Sequence, residues 1–136
     1  MKRNNLGRLA AALTLLIFVT LACGTGYTTT TKRVGRKGQI IVRADEADGE
    51  YNTSIEIDED LSWDLVTLTV NVKVTAGSYH AEFVGEEGGR LILDASPNNP
   101  GQGSVQLETD AFGEIDLEAQ AQGAEDVEIT LDYTLP

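Results

Sequence analysis

One cysteine, one histidine, one tryptophan, one methionine and three prolines are spread over 136 residues. The lone Cys23 excludes an internal disulfide, so a secreted domain of this size would be held by its core alone. The lone His80 has no second imidazole and no spare thiol, which excludes the usual zinc and nucleophile–base sets. In Ser78-Tyr79-His80-Ala81-Glu82 the alternation also turns it away from the core. Bases are scarce: beyond residue 38 only Arg43, Lys73 and Arg90 occur. A surface so short of positive charge repels phosphate backbones, which excludes nucleic acid as a partner. No apolar stripe of helical spacing follows residue 22, and no glycine-rich phosphate loop leads into a helix. Ser62 and Ser78 lie in no activating turn, so nothing in the sequence marks an enzyme.

What is present begins with MKRNNLGR, which carries Lys2, Arg3 and Arg8 and no acid. The stretch LAAALTLLIFVTLA follows, uncharged and almost wholly apolar. A basic start and a short greasy run make a secretory signal, too short and too close to the terminus for a membrane span. Small Ala22 then precedes Cys23, as signal cleavage requires.

This stretch resembles the signal and lipobox of bacterial lipoproteins. Ala22 and Cys23 match the last two positions of that motif, Leu21 suits the one before, and Thr20 stands where leucine is usual. The resemblance implies cleavage before Cys23, a diacylglyceryl thioether on its sulfur, and an acyl chain such as palmitate on the new amine. More than one chain is needed because a single one binds a bilayer only reversibly. Membrane lipid is thus the implied partner of Cys23, and the implied location is extracytoplasmic, lipid-anchored to a bacterial cell membrane. The likeness covers the first 24 residues only.

Residues 1–22 are accordingly read as the signal peptide, 23–38 as the lipidated cysteine and a flexible tether, and 39–136 as the domain. The tether, GTGYTTTTKRVGRKG, is polar, Thr- and Gly-rich, and basic at its end. Tyr27 either packs on the domain or sits at the lipid interface. Lys32, Arg33, Arg36 and Lys37 either meet anionic headgroups or simply solvate the tether. The whole chain has a formal charge of −12 from 22 acids and 10 bases. Three of those bases and none of the acids precede Cys23, so the chain that follows carries −15.

From Gln39 the apolar residues repeat every second position. Val66, Leu68, Val70, Val72 and Val74 share one face of a strand, with Thr67, Thr69, Asn71 and Lys73 on the other. The same alternation predicts strands at 39–44, 51–57, 78–85, 90–95, 104–110, 114–122 and 126–135. EADGE, TAGS, GEEGG, SPNNPGQG, DAFGE and QGAED read as the turns between them. Seven or eight short strands, each with one apolar face, predict an all-β antiparallel β-sandwich, with a small β-barrel as the alternative.

Two features stand out as candidate sites. Asp58, Asp60 and Asp64 crowd one turn, and such oxygen ligands could bind calcium, although an acidic surface produces such clusters without any metal. No other cofactor is implied. Trp63, between those acids and the long strand, is either a ligand-contact aromatic or a core ring; a bulge near 64–66 would turn it and Leu65 inward together. The sequence therefore points to a non-catalytic anchored domain with a structural, accessory or protein-contact role, its partner an envelope protein. The alternative is a surface module for glycan or calcium.

Overall fold

The structure, a computed structural model, describes residues 16–21, as backbone, and 26–136. Cys23 and Ala22 lie outside the described residues. Among the described residues there are eight strands: β1 (Leu16–Leu21), β2 (Tyr27–Val34), β3 (Lys37–Glu56), β4 (Leu65–Lys73), β5 (Ala76–Val84), β6 (Arg90–Ala95), β7 (Gly101–Glu108) and β8 (Glu114–Thr134). All pairings are antiparallel.

β3 and β8 are 20 and 21 residues long, and they pair with each other along nearly their whole length. Their register shifts once, between Ala47 and Gly49, where the ribbon bends. On one side of that bend, β1, β2, β3, β8, β4 and β7 form a six-stranded sheet. On the other, the remaining halves of β3 and β8 are joined by β5 and β6 in a four-stranded sheet. The fold is thus an antiparallel β-sandwich whose two layers share a pair of strands. No ladder joins β6 to β7 among the described residues, so the sheets do not close into a barrel.

The inner face follows the predicted alternation. Ile40, Leu68, Val72, Phe83, Leu117, Ile129 and Leu131 are all fully buried between the layers. Each such side chain stabilises the fold by roughly 1.5–3 kcal/mol through burial. Tyr27 stacks on Tyr51 with ring centroids 3.8 Å apart, and its hydroxyl meets that of Tyr79 at 3.0 Å across the sandwich. Burial pushes the Tyr79 hydroxyl well above the ordinary phenol range, so the pair stays neutral.

Three expectations change. The segment expected as a tether instead enters the sheet at Tyr27, and β2 pairs in register with β3 from Tyr27↔Ala44 to Val34↔Lys37. Its run of β-branched threonines suits a strand, and a two-residue Gly35-Arg36 turn with Gly35 at φ +63° closes the hairpin. Strand structure thus starts before Gln39: Tyr27 is a core residue, and β1, within the segment expected as the signal peptide, pairs β2 as an edge strand from Leu16↔Arg33 to Leu21↔Thr28. Second, EADGE and QGAED are not hairpin turns but the bends of β3 and β8, and the four short strands expected around them are two long ones. Third, no bulge occurs at 64–66: β4 pairs with β7 without a shift from Leu65↔Glu108 onward, and Leu65 faces solvent.

Candidate functional site

Because β3 doubles back, the two ends of the sandwich have different contents. Tyr27, the bend of β3, the β4–β5 turn and the β6–β7 turn lie at one end. The β2–β3 turn and the loops at 57–64, 85–89 and 109–113 lie at the other. Arg33 reaches Asp58 there, Leu135 N–H donates to the Arg36 carbonyl at 2.7 Å, and Glu86 N–H to that of Glu108 at 2.8 Å.

Asp58 ties this loop end together. It is 8% exposed, and its carboxylate accepts from Arg33 Nη1 at 2.8 and 2.9 Å, from the Tyr133 hydroxyl at 2.7 Å and from Asp60 N–H at 2.9 Å. Burial alone would raise its pKa; the Asp60 amide, the Tyr133 hydroxyl and the Arg33 guanidinium outweigh that and hold it below the usual carboxylate value. Arg33 also bonds Asp60 at 2.9 Å, so a guanidinium fills the space between these two acids. Asp64 is engaged separately, accepting from Ser62 N–H at 2.8 Å. Among the described residues no group of three or more His, Cys, Asp or Glu side chains is arranged to hold a metal.

Trp63 projects from this scaffold and is 56% exposed. Its φ is +56°, an unusual conformation for a bulky side chain, which costs about 1–3 kcal/mol unless the surroundings impose it. They do. Trp63 N–H donates to the Asp110 carbonyl at 2.9 Å, Asp64 N–H to the Thr109 hydroxyl at 3.2 Å, and Thr109 N–H returns to the Asp64 carbonyl at 2.9 Å. Asp110 Oδ1 in turn accepts from Phe112 N–H at 2.8 Å and Glu114 N–H at 2.9 Å. Gly113 packs so closely on this loop that a Cβ there would fall 2.1 Å from the Asp58 carbonyl oxygen. Phe112, 72% exposed, is therefore presented from the same pinned loop pair. Val34 and Leu65, also exposed, lie at this end. The sequence marked Trp63 but gave no reason to mark Phe112, whose turn DAFGE reads only as a connection.

At the opposite end a cleft of about 440 Å³ opens between the β4–β5 and β6–β7 turns. Val74, Pro97 and Pro100 give it apolar walls, with Lys73, Asp126 and Glu128 at its rim.

The outer faces of the two sheets also differ. On the six-stranded sheet, register aligns side chains in rows such as Lys32–Gln39–Asp132–Thr69–Ser104 and Thr30–Ile41–Thr130–Asn71–Gln102. Over the whole of that face the bases are Lys32, Lys37, Arg43 and Lys73 and the acids Asp45, Glu108, Asp126, Glu128 and Asp132, a net −1. Glu128 takes both Arg43, at 2.8 Å, and Lys73, at 3.3 Å. The outer face of the four-stranded sheet carries Glu50, Glu56, Glu82, Asp94, Glu114, Asp116 and Glu118 against Arg90, a net −6 with His80 neutral. His80 sits among them, Nδ1 2.6 Å from Asp94 and Nε2 2.9 Å from Glu82. Those two hydrogen bonds, Glu82 first, raise its pKa.

No protein-family model matches the chain, and no curated protein matches it. Among solved structures it is similar to CapF with the inhibitor 3-isopropenyl-tropolone, at 10% identity and TM-score 0.47 over 89% of this chain and 31% of that one. It is also similar to the capsular polysaccharide assembling protein CapF from Staphylococcus aureus, at 9% identity and TM-score 0.46 over 93% and 30%. A protein of unknown function from an Acinetobacter species gives 5% identity and TM-score 0.43 over 90% and 94%. The chain spans about a third of the length of the CapF chains.

Proposed function

We propose that this is a non-catalytic lipoprotein, held through Cys23 on the extracytoplasmic side of a bacterial membrane, whose loop end makes contact with an envelope protein. One observation supports the contact reading above the rest: Trp63 is exposed and held at positive φ by hydrogen bonds beneath it, with Phe112 exposed beside the same anchor, Asp110. An aromatic fixed in place loses little freedom on binding, which is what a contact hot spot needs. An aromatic row for stacking sugars, the rival arrangement, finds less support, because Tyr27, Tyr79 and Tyr133 are buried. Position supports the same reading. β2 starts four residues after Cys23 and runs toward the loop end, so an anchor at Cys23 leaves Trp63 and Phe112 facing away from the membrane.

Two experiments test this. With Cys23→Ser, the protein is expected to leave the detergent-soluble membrane fraction; retention at the wild-type level defeats the anchor. A photo-crosslinking residue at position 112, in cells, is expected to give a discrete adduct that Trp63→Ala removes, while the same probe at position 104 gives none. Equal labelling from both positions defeats the contact reading.

A further inference from the structure

The signal and the sheet meet at β1. That strand lies within residues 1–22, yet it pairs β2 antiparallel through six register pairs, from Leu16↔Arg33 to Leu21↔Thr28. Cleavage before Cys23 would remove it and leave the β2 edge bare. We infer that this edge, opened by cleavage, receives an extended strand of the envelope partner, antiparallel to β2 and apolar at alternate positions; the inference rests on the anchor reading above.

The edge is suited to an added strand. A bare edge offers a row of unpaired N–H and C=O groups, and sheets blunt such edges with proline, a bulge, charge or a covering element. β2 has no proline, and its ladder with β3 runs without a shift. Of its two bases, Arg33 is held by Asp58 and Asp60, so Lys32 alone guards the edge. Other margins are better protected. β6 and β7 crowd one another, since a Cβ at Gly103 would fall 2.9 Å from Leu91 Cδ1 and one at Gly101 2.9 Å from the Asp94 carbonyl oxygen. The half of β3 from Gly49 to Glu56 follows the register shift and carries Glu50 and Glu56.

Register sets the chemistry of the occupant. Tyr27, Thr29 and Thr31 pair with Ala44, Val42 and Ile40, all buried, so residues opposite Thr29 and Thr31 fall on the core side and should be apolar. Residues opposite Thr30 and Lys32 fall on the outer side, where an acid facing Lys32 is favoured. A second copy fits poorly. Antiparallel β2 strands would send two Cys23 anchors in opposite directions, whereas a partner strand can descend from the loop end, starting opposite Arg33. Main-chain pairing then supplies affinity, and the alternating side chains supply specificity.

The test uses the processed, lipidated chain and the unprocessed chain, each in detergent micelles, with a fluorescent peptide carrying the Leu16–Leu21 sequence between Gly-Ser flanks. Intact mass first reports whether residues 1–22 are gone from the membrane-extracted protein; their retention defeats the anchor reading and this inference with it. The processed chain is expected to bind the peptide. The unprocessed chain, whose edge is already filled, should bind it at least about 10-fold more weakly. A peptide with Glu in place of Ile17, facing Lys32, should bind about two- to fivefold tighter, and Lys32→Glu should reverse that order. Thr29→Pro or Thr30→Pro, whichever turns its N–H outward and so keeps the wild-type melting temperature, should weaken binding about fivefold. Equal binding to both chains, equal affinity for both peptides, or a processed chain that binds neither would each overturn the inference and leave the anchor reading standing. So would a dimer of the processed chain that excludes the peptide, which gives the edge to a second copy.

Discussion

The two outer faces of the sandwich are written in the same alternation and share the same two long strands. The charge they carry nonetheless differs. Along β8 both halves turn acids outward, Glu114, Asp116 and Glu118 on one sheet and Glu128 and Asp132 on the other, and the sheets differ because β2, β3 and β4 set Lys32, Lys37, Arg43 and Lys73 beside the second group. The inner parity of a strand is fixed by the core, whereas the outer parity is free to carry whatever a surface requires. Charge could therefore be divided between the faces at little cost to the fold. Net charge, a single number for the whole chain, conceals that division.

The largest effect should come from opening the seam where the faces meet. Arg33→Ala leaves the buried Asp58 carboxylate without its cation and should destabilise the protein by about 3–5 kcal/mol, read as a lower denaturant midpoint. An unchanged midpoint would mean that Tyr133 and the Asp60 amide suffice. Acid should act on the same group. Because the folded pKa of Asp58 lies below its unfolded value of about 3.9, its contribution is present above that pH and is lost as pH falls through the folded value. In Asp58→Asn that part of the acid-induced loss should disappear.

A smaller effect is expected at His80, whose folded pKa is raised. Its clasp with Glu82 and Asp94 stabilises fully below about pH 6.5 and fades as pH rises through the folded value. His80→Gln should therefore lower the melting temperature at pH 5 and leave it nearly unchanged at pH 9; a constant difference would point to packing instead. The smallest effect sharpens the contrast between faces most directly. Glu118→Lys on the acidic face should stabilise by about 0.5 kcal/mol at low salt, whereas Lys73→Glu on the opposite face should destabilise by a similar amount. Both differences should shrink in high salt.

Much of the layer structure was legible in the sequence because burial imposes a period of two. Val66 to Val74, Tyr79 to Phe83 and Ile115 to Ala121 all face the core as their spacing predicts. β2 was not legible, because a threonine run between glycines has the composition of a linker, and only its partner β3 makes it a strand. The bends were missed for a related reason: Gly49 and Gly123 carry the marks of a hairpin, and local residues cannot tell a turn from a strand that folds over. At the candidate site, Trp63 was legible as an oddity but its exposure was not. That exposure depends on Asp110 and Thr109, more than 40 positions away. The division of charge was hidden too, since it emerges only when register aligns five strands.

The β2–β3 ladder has one more consequence, a mechanical one. β2 begins at Tyr27, at one end of the sandwich, and joins β3 through eight register pairs along the axis that leads to the loop end. A pull between a tethered N-terminus and a partner held at Trp63 would run parallel to those strands. Their hydrogen bonds would then be strained together in shear rather than opened one at a time. The strand that composition disguised as slack is the one through which such tension must pass.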